Sequence, residues 1–294
     1  MYVTETVVSH NQATSSGGGI HTDKRLTLHD VQIISNSVTS GNGGGVALGN
    51  NSAIVTQTGV LTLAYNQVDA RGGGVYVGDG LLSMDGARIL SNNAGDQGGA
   101  IYQNDLTNGI TVTNSCLVFN SDTAVFHSGG PALSATSNWW GASDGPSGAA
   151  SGHGDSINNA SNIDASGFLT TAPVGCPGYT PTLSLVGGSG QSAEVTQPFG
   201  LALTVTLAMD NGGPPFAGEV ITFTGPDSGA SISPTIVTAT TDSSGVATAA
   251  VTANDIKGSY GVTATTSVGS NSVTFSLTNT GGIEIYLPIV VKNQ

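Results

Sequence analysis

The side chains able to do chemistry are few in this 294-residue chain, and the first to weigh are the neighbours His29 and Asp30 together with Asp85. Two carboxyls about 6.5–9.5 Å apart serve an inverting glycosidase, and a His beside an Asp can form a general acid–base pair. No catalytic residue is assigned, and these three are the candidates; a solvated turn is the more usual state of such a His-Asp dipeptide. Cys116 has no His–Asn constellation to make it a nucleophile. No Cys/His pattern has zinc spacing, so no metal ligand is assigned. Asp79-Gly80 and Asn104-Asp105 could hold calcium weakly, but nothing matches an EF-hand pattern; no other cofactor is expected. The adjacent Trp139 and Trp140 admit two readings: an exposed sugar-stacking platform, or a cover over the open end of an apolar column.

Composition says what scaffold must position these groups. Charged residues are 9% of the chain, against about 25% in an ordinary globular protein. There are 44 Gly and only 5% aromatics, so a core must come from Val, Ile, Leu and Ala. Abundant Gly, Ser, Thr and Asn with β-branched residues speak against helices and for strands joined by many turns. Nineteen acids against 6 bases give a net charge of −13. That balance disfavours nucleic acid and anionic membrane surfaces as partners. No run approaches the ~18 apolar residues of a membrane span. The opening Met1-Tyr2-Val3-Thr4-Glu5 shows no signal peptide, and two cysteines make no disulfide framework.

The chain repeats. Gly17-Gly18-Gly19-Ile20, Gly43-Gly44-Gly45-Val46, Gly72-Gly73-Gly74-Val75 and Gly98-Gly99-Ala100-Ile101 start 26, 29 and 26 residues apart. Gly129-Gly130-Pro131-Ala132 reads as a degenerate fifth copy. Ahead of each lies an aliphatic-x-x-Asn tetrapeptide ending at Asn11, Asn36, Asn66, Asn92 and Asn120. Three residues before each Asn stand Val8, Ile33, Leu63, Ile89 and Leu117; eight before stand Val3, Leu28, Thr58, Met84 and Val112. Turn formers such as His29-Asp30, Asp85-Gly86 and Thr113-Asn114 separate the two columns. Each repeat reads as strand, bend, strand, Asn turn, Gly-rich corner and short strand, which suits one coil of a parallel β-solenoid. Aliphatic columns would stack as a core, and the Asn column as a hydrogen-bonded ladder. With coils ~4.8 Å apart, Asp30 and Asp85 would be separated by about 9.6 Å of rise, with Gly59 and Val60 between them. Cys116 shares the outward column of Gln32, Thr62 and Arg88, and Cys176 is its candidate disulfide partner.

At these residues the chain resembles a family. The pairing of GG(A/G)(I/L/V) with x-x-Asn is similar to the repeats of chlamydial polymorphic outer-membrane proteins, and more broadly to right-handed parallel β-helix proteins of the pectin-lyase-like superfamily. Ser137-Asn138-Trp139-Trp140-Gly141-Ala142-Ser143-Asp144-Gly145-Pro146 resembles an element that closes many bacterial β-helix domains. Gly152-His153-Gly154-Asp155 and residues 163–169 resemble its last loop and strand. The likeness covers about residues 1–178. It implies that polysaccharide cleavage must be considered. Uronate elimination would want Arg or Lys with bound calcium, and this region carries only the scattered Lys24, Arg25, Arg71 and Arg88.

Residues 169–181 are rich in Pro and Gly and read as a linker. Short strands are expected at 192–196, 202–208, 219–224, 236–240, 247–252, 259–265 and 272–277, split by turns such as Asp210-Asn211-Gly212-Gly213 and Asp242-Ser243-Ser244-Gly245. About seven short strands in roughly 100 residues fit an Ig-like β-sandwich. The segments "AGEVITFTGPDSGASIS", "TDSSGVATAAVT" and "GSYGVTATT" resemble bacterial Ig-like domains of the invasin/intimin group. That likeness implies a stalk unit or a carrier of an adhesive tip, with Tyr260 as a packing aromatic. The apolar tail 285–292 is either a final strand or a sorting tail.

The expected organisation is all-β: a right-handed parallel β-helix over residues 1–178, an Ig-like sandwich over 179–281 and a short tail over 282–294. The expected function is a non-catalytic secreted or cell-surface bacterial protein, adhesin-like or for display, whose partners are cell-surface or matrix glycans or proteins. The alternative is a polysaccharide-degrading fragment, a glycoside hydrolase or lyase; an autotransporter passenger is a third reading, disfavoured because no β-barrel pattern follows. An extracellular location is inferred from module type, with a signal peptide and further coils expected upstream in a longer polypeptide.

Overall fold

Each repeat of the first half opens with β-branched and aliphatic residues in alternation, a pattern that suits a pleated strand with one face covered. In the computed structural model these segments lie parallel, coil upon coil. The structure describes residues 1–50, 53–104, 109–121, 123–209, 215–268 and 271–281. Asp105, the turn 210–213 and the tail 282–294 lie outside the described residues. Two units separate at Tyr179, Met1–Tyr179 and Thr180–Gln294. The first is a parallel β-solenoid of about six turns, and all described regular elements in both units are strands.

The longest sheet of the solenoid stacks Tyr2–Ser9, Arg25–Ile34, Ile54–Ala64, Leu81–Asp85, Ile110–Thr113, Leu133–Ser134 and Ile163–Asp164. A second stack runs through Ile20–Thr22, Val46–Leu48, Val75–Val77, Ile101–Gln103, Val125–His127 and Gly154–Ile157, ending at Pro146–Gly148. A third, of two-residue strands, joins Gln12–Ala13, Ser37–Val38, Gln67–Val68 and Asn93–Ala94. Register places Val8 beside Ile33, Ile33 beside Leu63, Leu63 beside Ile89 and Ile89 beside Leu117. Ile33, Leu63, Ile89 and Leu117 are fully buried. At ~25 cal/mol per Å² of apolar surface, continuous columns of this kind are the main source of the unit's stability.

Sharp turns shape the coils, and left-handed backbone recurs at them. At the bend the turning residues are Glu5, Asp30, Gly59, Gly86 and Asn114; just before each ladder Asn they are His10, Ser35, Tyr65, Ser91 and Phe119. The Gly-rich corner is tighter. Gly43 has φ +74, and a Cβ on Gly44 would lie 2.6 Å from the Gly73 carbonyl oxygen of the next coil, so no other residue fits there.

Three sequence expectations are corrected. Thr58 does not continue the core column: the third coil carries one extra residue at its bend, which shifts the register so that Leu28 pairs with Gln57. Gln57 takes the inward place, its Nε2 donating to the carbonyls of Gly59 (2.8 Å) and Asp85 (2.9 Å), while Thr58 is exposed. Gly129-Gly130 do not form the fifth glycine corner; register pairs Ile101 with Val125, so Thr123 and Ala124 occupy it. Cys116 does share the outward column of Arg88, but it is 1% exposed because the closing segment covers it.

The second unit holds two sheets. Leu203–Met209 runs antiparallel between Pro181–Gly187 and Val246–Ala249. The other sheet has the order Gln191–Glu194, Val273–Thr280, Gly258–Thr266, Val220–Thr224, Ile236–Thr240, antiparallel except for its first pair. Pro181–Gly187 is a strand where the sequence reads as the end of a linker: proline is tolerated as a first strand residue, and only Leu183 of this edge strand is buried. Leu203, Val205, Leu207, Ile221, Phe223 and Phe275 are fully buried in this unit.

Candidate functional site

His29, Asp30 and Asp85 sit at the solenoid bend. His29 Nε2 lies 3.3 Å from Asp30 Oδ2, and both side chains are nearly half exposed. Asp30 Oδ1 accepts the Val60 amide at 2.8 Å, so this carboxylate anchors the extra residue of the third coil. Gly59 has φ +83, a left-handed conformation that favours glycine. Asp85 accepts from Thr113 Oγ1 (3.0 Å) and Asn114 Nδ2 (2.7 Å) in the following coil. The bend thus brings His29 and Asp30 together, while Asp85 is engaged with the coil on its far side.

The Asn residues are joined in one ladder. Nδ2 of Asn11, Asn36, Asn66 and Asn92 donates to Oδ1 of the next at 2.9, 3.0, 2.9 and 3.0 Å. From Asn36 onward the same Nδ2 also reaches back to the carbonyls of Val8, Ile33, Leu63 and, from Asn120, Ile89. Asn36, Asn66 and Asn92 are at most 1% exposed, so each amide satisfies groups that water cannot reach.

Asp155 terminates the ladder. Its Oδ2 accepts from Asn120 Nδ2 (2.8 Å) and the Asn120 amide (3.1 Å), and its Oδ1 from the Phe119 amide (2.9 Å) and the Tyr179 hydroxyl. Burial pushes the Asp155 carboxyl up to about 6, against the pull of those donors, the Tyr179 hydroxyl foremost. Burial, then the Asp155 charge, also raises the Tyr179 phenol well above its ordinary value. Sequence reasoning placed Asp155 only in a last loop. It follows Asn120 by 35 residues, outside the repeat spacing, so no periodic signal marks it.

The two tryptophans close the same end. Trp139 pairs with Cys116, which puts Trp140 one residue on in the Leu117 column, where it is 0% exposed. Trp139 is 6% exposed, and its Nε1 donates to the Pro177 carbonyl at 2.6 Å. It packs with Val118 and the Cys116–Cys176 disulfide, flanked by Phe119, Leu169 and Tyr179. Neither ring offers a face to solvent.

Three further groupings escaped the sequence reading. Tyr76, Tyr102 and Phe126 stack on the outer face of successive coils, with ring centroids 5.5 and 5.2 Å apart. Arg71 lies 5.1 Å over the Tyr102 ring and 2.8 Å from Asp96. The signal was present for two of them: Tyr76 and Tyr102 are each the second residue of the strand after a Gly-rich corner, whereas Phe126 follows Thr123-Ala124 in the same place. His153 Nδ1 lies 2.5 Å from Asp144 Oδ2 in the closing loops. Next to it is a cavity of about 280 Å³ whose lining includes Asp144, Asp164 and Phe168.

The Asp79 carboxylate accepts its own neighbour, the Gly80 amide, at 2.8 Å. Among the described residues no group of three or more His, Cys, Asp or Glu is placed to hold a metal, and no helix is long and apolar enough to cross a membrane. In the second unit the Tyr260 hydroxyl donates to Asn279 Oδ1 at 2.9 Å, and burial pushes the phenol up to about 12. No protein-family model matches the chain, and no curated protein matches it.

Proposed function

We propose that this chain is a non-catalytic display or adhesion module of a secreted or cell-surface bacterial protein. Its solenoid is read as right-handed and pectin-lyase-like, with repeats of the chlamydial polymorphic outer-membrane type. Its second unit is read as an Ig-like module of the invasin/intimin kind; two sheets of short, mostly antiparallel strands support that assignment. The observation that carries the function is where the repeated residues go. The aliphatic side chains, the Asn amides and the corner glycines are all engaged with their counterparts in the next coil. The repeat therefore encodes a scaffold, and the outward positions are left to vary for contact with glycans or proteins. The Cys116–Cys176 disulfide supports an oxidising, extracellular compartment.

A rival reading, a polysaccharide-degrading fragment, is favoured by the 3.3 Å contact of His29 with Asp30 at a bend that also carries Asp85. Incubating the full chain with matrix glycans, cell-wall glycans and mucins separates the two. Retention on one of these surfaces without new reducing ends or unsaturated uronates is expected. Cleavage that disappears in Asp30→Asn or Asp85→Asn would overturn the display reading.

A further inference from the structure

We propose that the closing end of the solenoid unit carries a binding pocket for a small organic cation with an apolar body, an alkylammonium group in chemical terms. The cavity measures about 280 Å³, close to the ~300 Å³ at which small-molecule sites begin. Its floor is the end of the solenoid core. Ile163, 1% exposed, lies on the terminal strand of the longest sheet, Ile157, 2% exposed, lies one strand before the end of the second stack, and Ala165 and Phe168 pack against the same core. The Phe168 ring is held on one side by Gly145, where a Cβ would come within 2.8 Å of it. An apolar body entering the cavity leaves water for contact with the Ala165 and Phe168 side chains that line it.

The rim has the opposite character. Asp144, Ser151, Asp164 and Ser166 edge the cavity, and no Lys or Arg lines it. None is near in sequence either: the chain has no Lys or Arg between Arg88 and Lys257. Asp144 is engaged by His153, through the backbone amide at 3.0 Å and the ring at 2.5 Å. Among the described residues no basic side chain pairs with Asp164; its Oδ1 accepts the Ser166 amide at 3.0 Å, and hydrogen bonds from Ser166 hold its carboxyl below the usual range. The rim thus offers a negative charge and acceptor oxygens above an apolar floor. An anion is repelled there, and a neutral sugar gains nothing from the charge. A cation with a short hydrocarbon body satisfies both parts at once, with Phe168 adding a ring to the wall.

The test titrates the full chain at low salt with hexylammonium, hexanol, hexanoate and glucose, followed by ligand-observed NMR. Hexylammonium is expected to bind up to about fivefold tighter than hexanol, the scale of an exposed charge pair. Hexanoate and glucose are expected not to bind, and 0.5 M salt is expected to weaken hexylammonium alone. Asp164→Asn keeps the acceptor for the Ser166 amide. It is expected to bring hexylammonium to within about twofold of hexanol while leaving hexanol and thermal unfolding unchanged. Asp144→Asn, a second rim variant, is expected to reduce the same preference. Equal binding of hexylammonium and hexanol, tighter binding of glucose, no binding of any probe, or a preference that survives in Asp164→Asn would each overturn the proposal. None of these outcomes bears on glycan retention, so the pocket and the display reading fail separately.

Discussion

Both units bury asparagine, and they use it in opposite ways. In the solenoid one amide interaction is repeated from coil to coil, and each Asn speaks only to the coil before and after it. In the second unit a single Asn279, 2% exposed, ties distant segments: its Nδ2 donates to the Ser231 carbonyl (3.0 Å), Asn254 Oδ1 (2.9 Å) and the Ile256 carbonyl (3.1 Å), while its Oδ1 receives Tyr260. The contrast teaches that the same buried amide can be a link in a one-dimensional chain or the hub of a closed core. The first arrangement lets damage stay local, and the second makes it global.

The largest effect is expected at the closed end of the one-dimensional array. Trp140→Ala opens a cavity under the last aliphatic column and should cost about 3–5 kcal/mol. Denaturant unfolding of the full chain would read this as loss of the solenoid transition alone. A second-unit transition that shifts equally would break the contrast. Next come the amides themselves. Asn66→Ala removes the side-chain acceptor of the Asn36 amide, one of the two acceptors of Asn36 Nδ2 and the side-chain donor to the Ile33 carbonyl, and Asn279→Ala strips three acceptors and one donor, so each should cost about 2–4 kcal/mol. Hydrogen exchange should show Asn66→Ala lowering protection in the neighbouring coils, whereas Asn279→Ala should lower it across the second unit. Uniform loss throughout the solenoid in Asn66→Ala would show that its coils act as one closed unit.

The smallest effect concerns the terminus of the ladder. The Asp155 carboxyl, at about 6 in the folded chain against 3.8 as its ordinary value, takes up a proton in the folded state first. Its contribution to stability is therefore present in full below 3.8 and is lost as pH rises through about 6. Going from pH 7 to pH 5, this one group should stabilise the solenoid by about 1 kcal/mol. Comparing the pH dependence of unfolding with Asp155→Asn isolates it, since the variant should lack this increment. An identical pH slope in both proteins would show that Asp155 does not titrate in this range.

Much of the solenoid was legible because its grammar is local. The spacing of Asn11, Asn36, Asn66, Asn92 and Asn120 and the aliphatic residue three places before each give the correct register in the folded chain. The column eight places before failed at Thr58, since counting from Asn66 cannot see one extra residue at the bend. Gly129-Gly130 misled for a related reason: glycines mark any turn, and only pairing shows which corner they serve. The candidate chemistry was less legible. His29 and Asp30 are adjacent in the chain and so were found, whereas the stacked Tyr76, Tyr102 and Phe126 and the lined cavity depend on which coil lies over which.

By itself the sequence determined a stacked, strand-built array with aliphatic columns and an amide ladder, because each rung interaction recurs at a fixed spacing. Only the tertiary structure decided how the array ends. Asp155 in place of an Asn, Trp140 in the aliphatic column, the disulfide joining residues 60 apart and the cavity beside Asp164 are single events. They join residues distant along the chain with no period to announce them, and contact in space is what selects them.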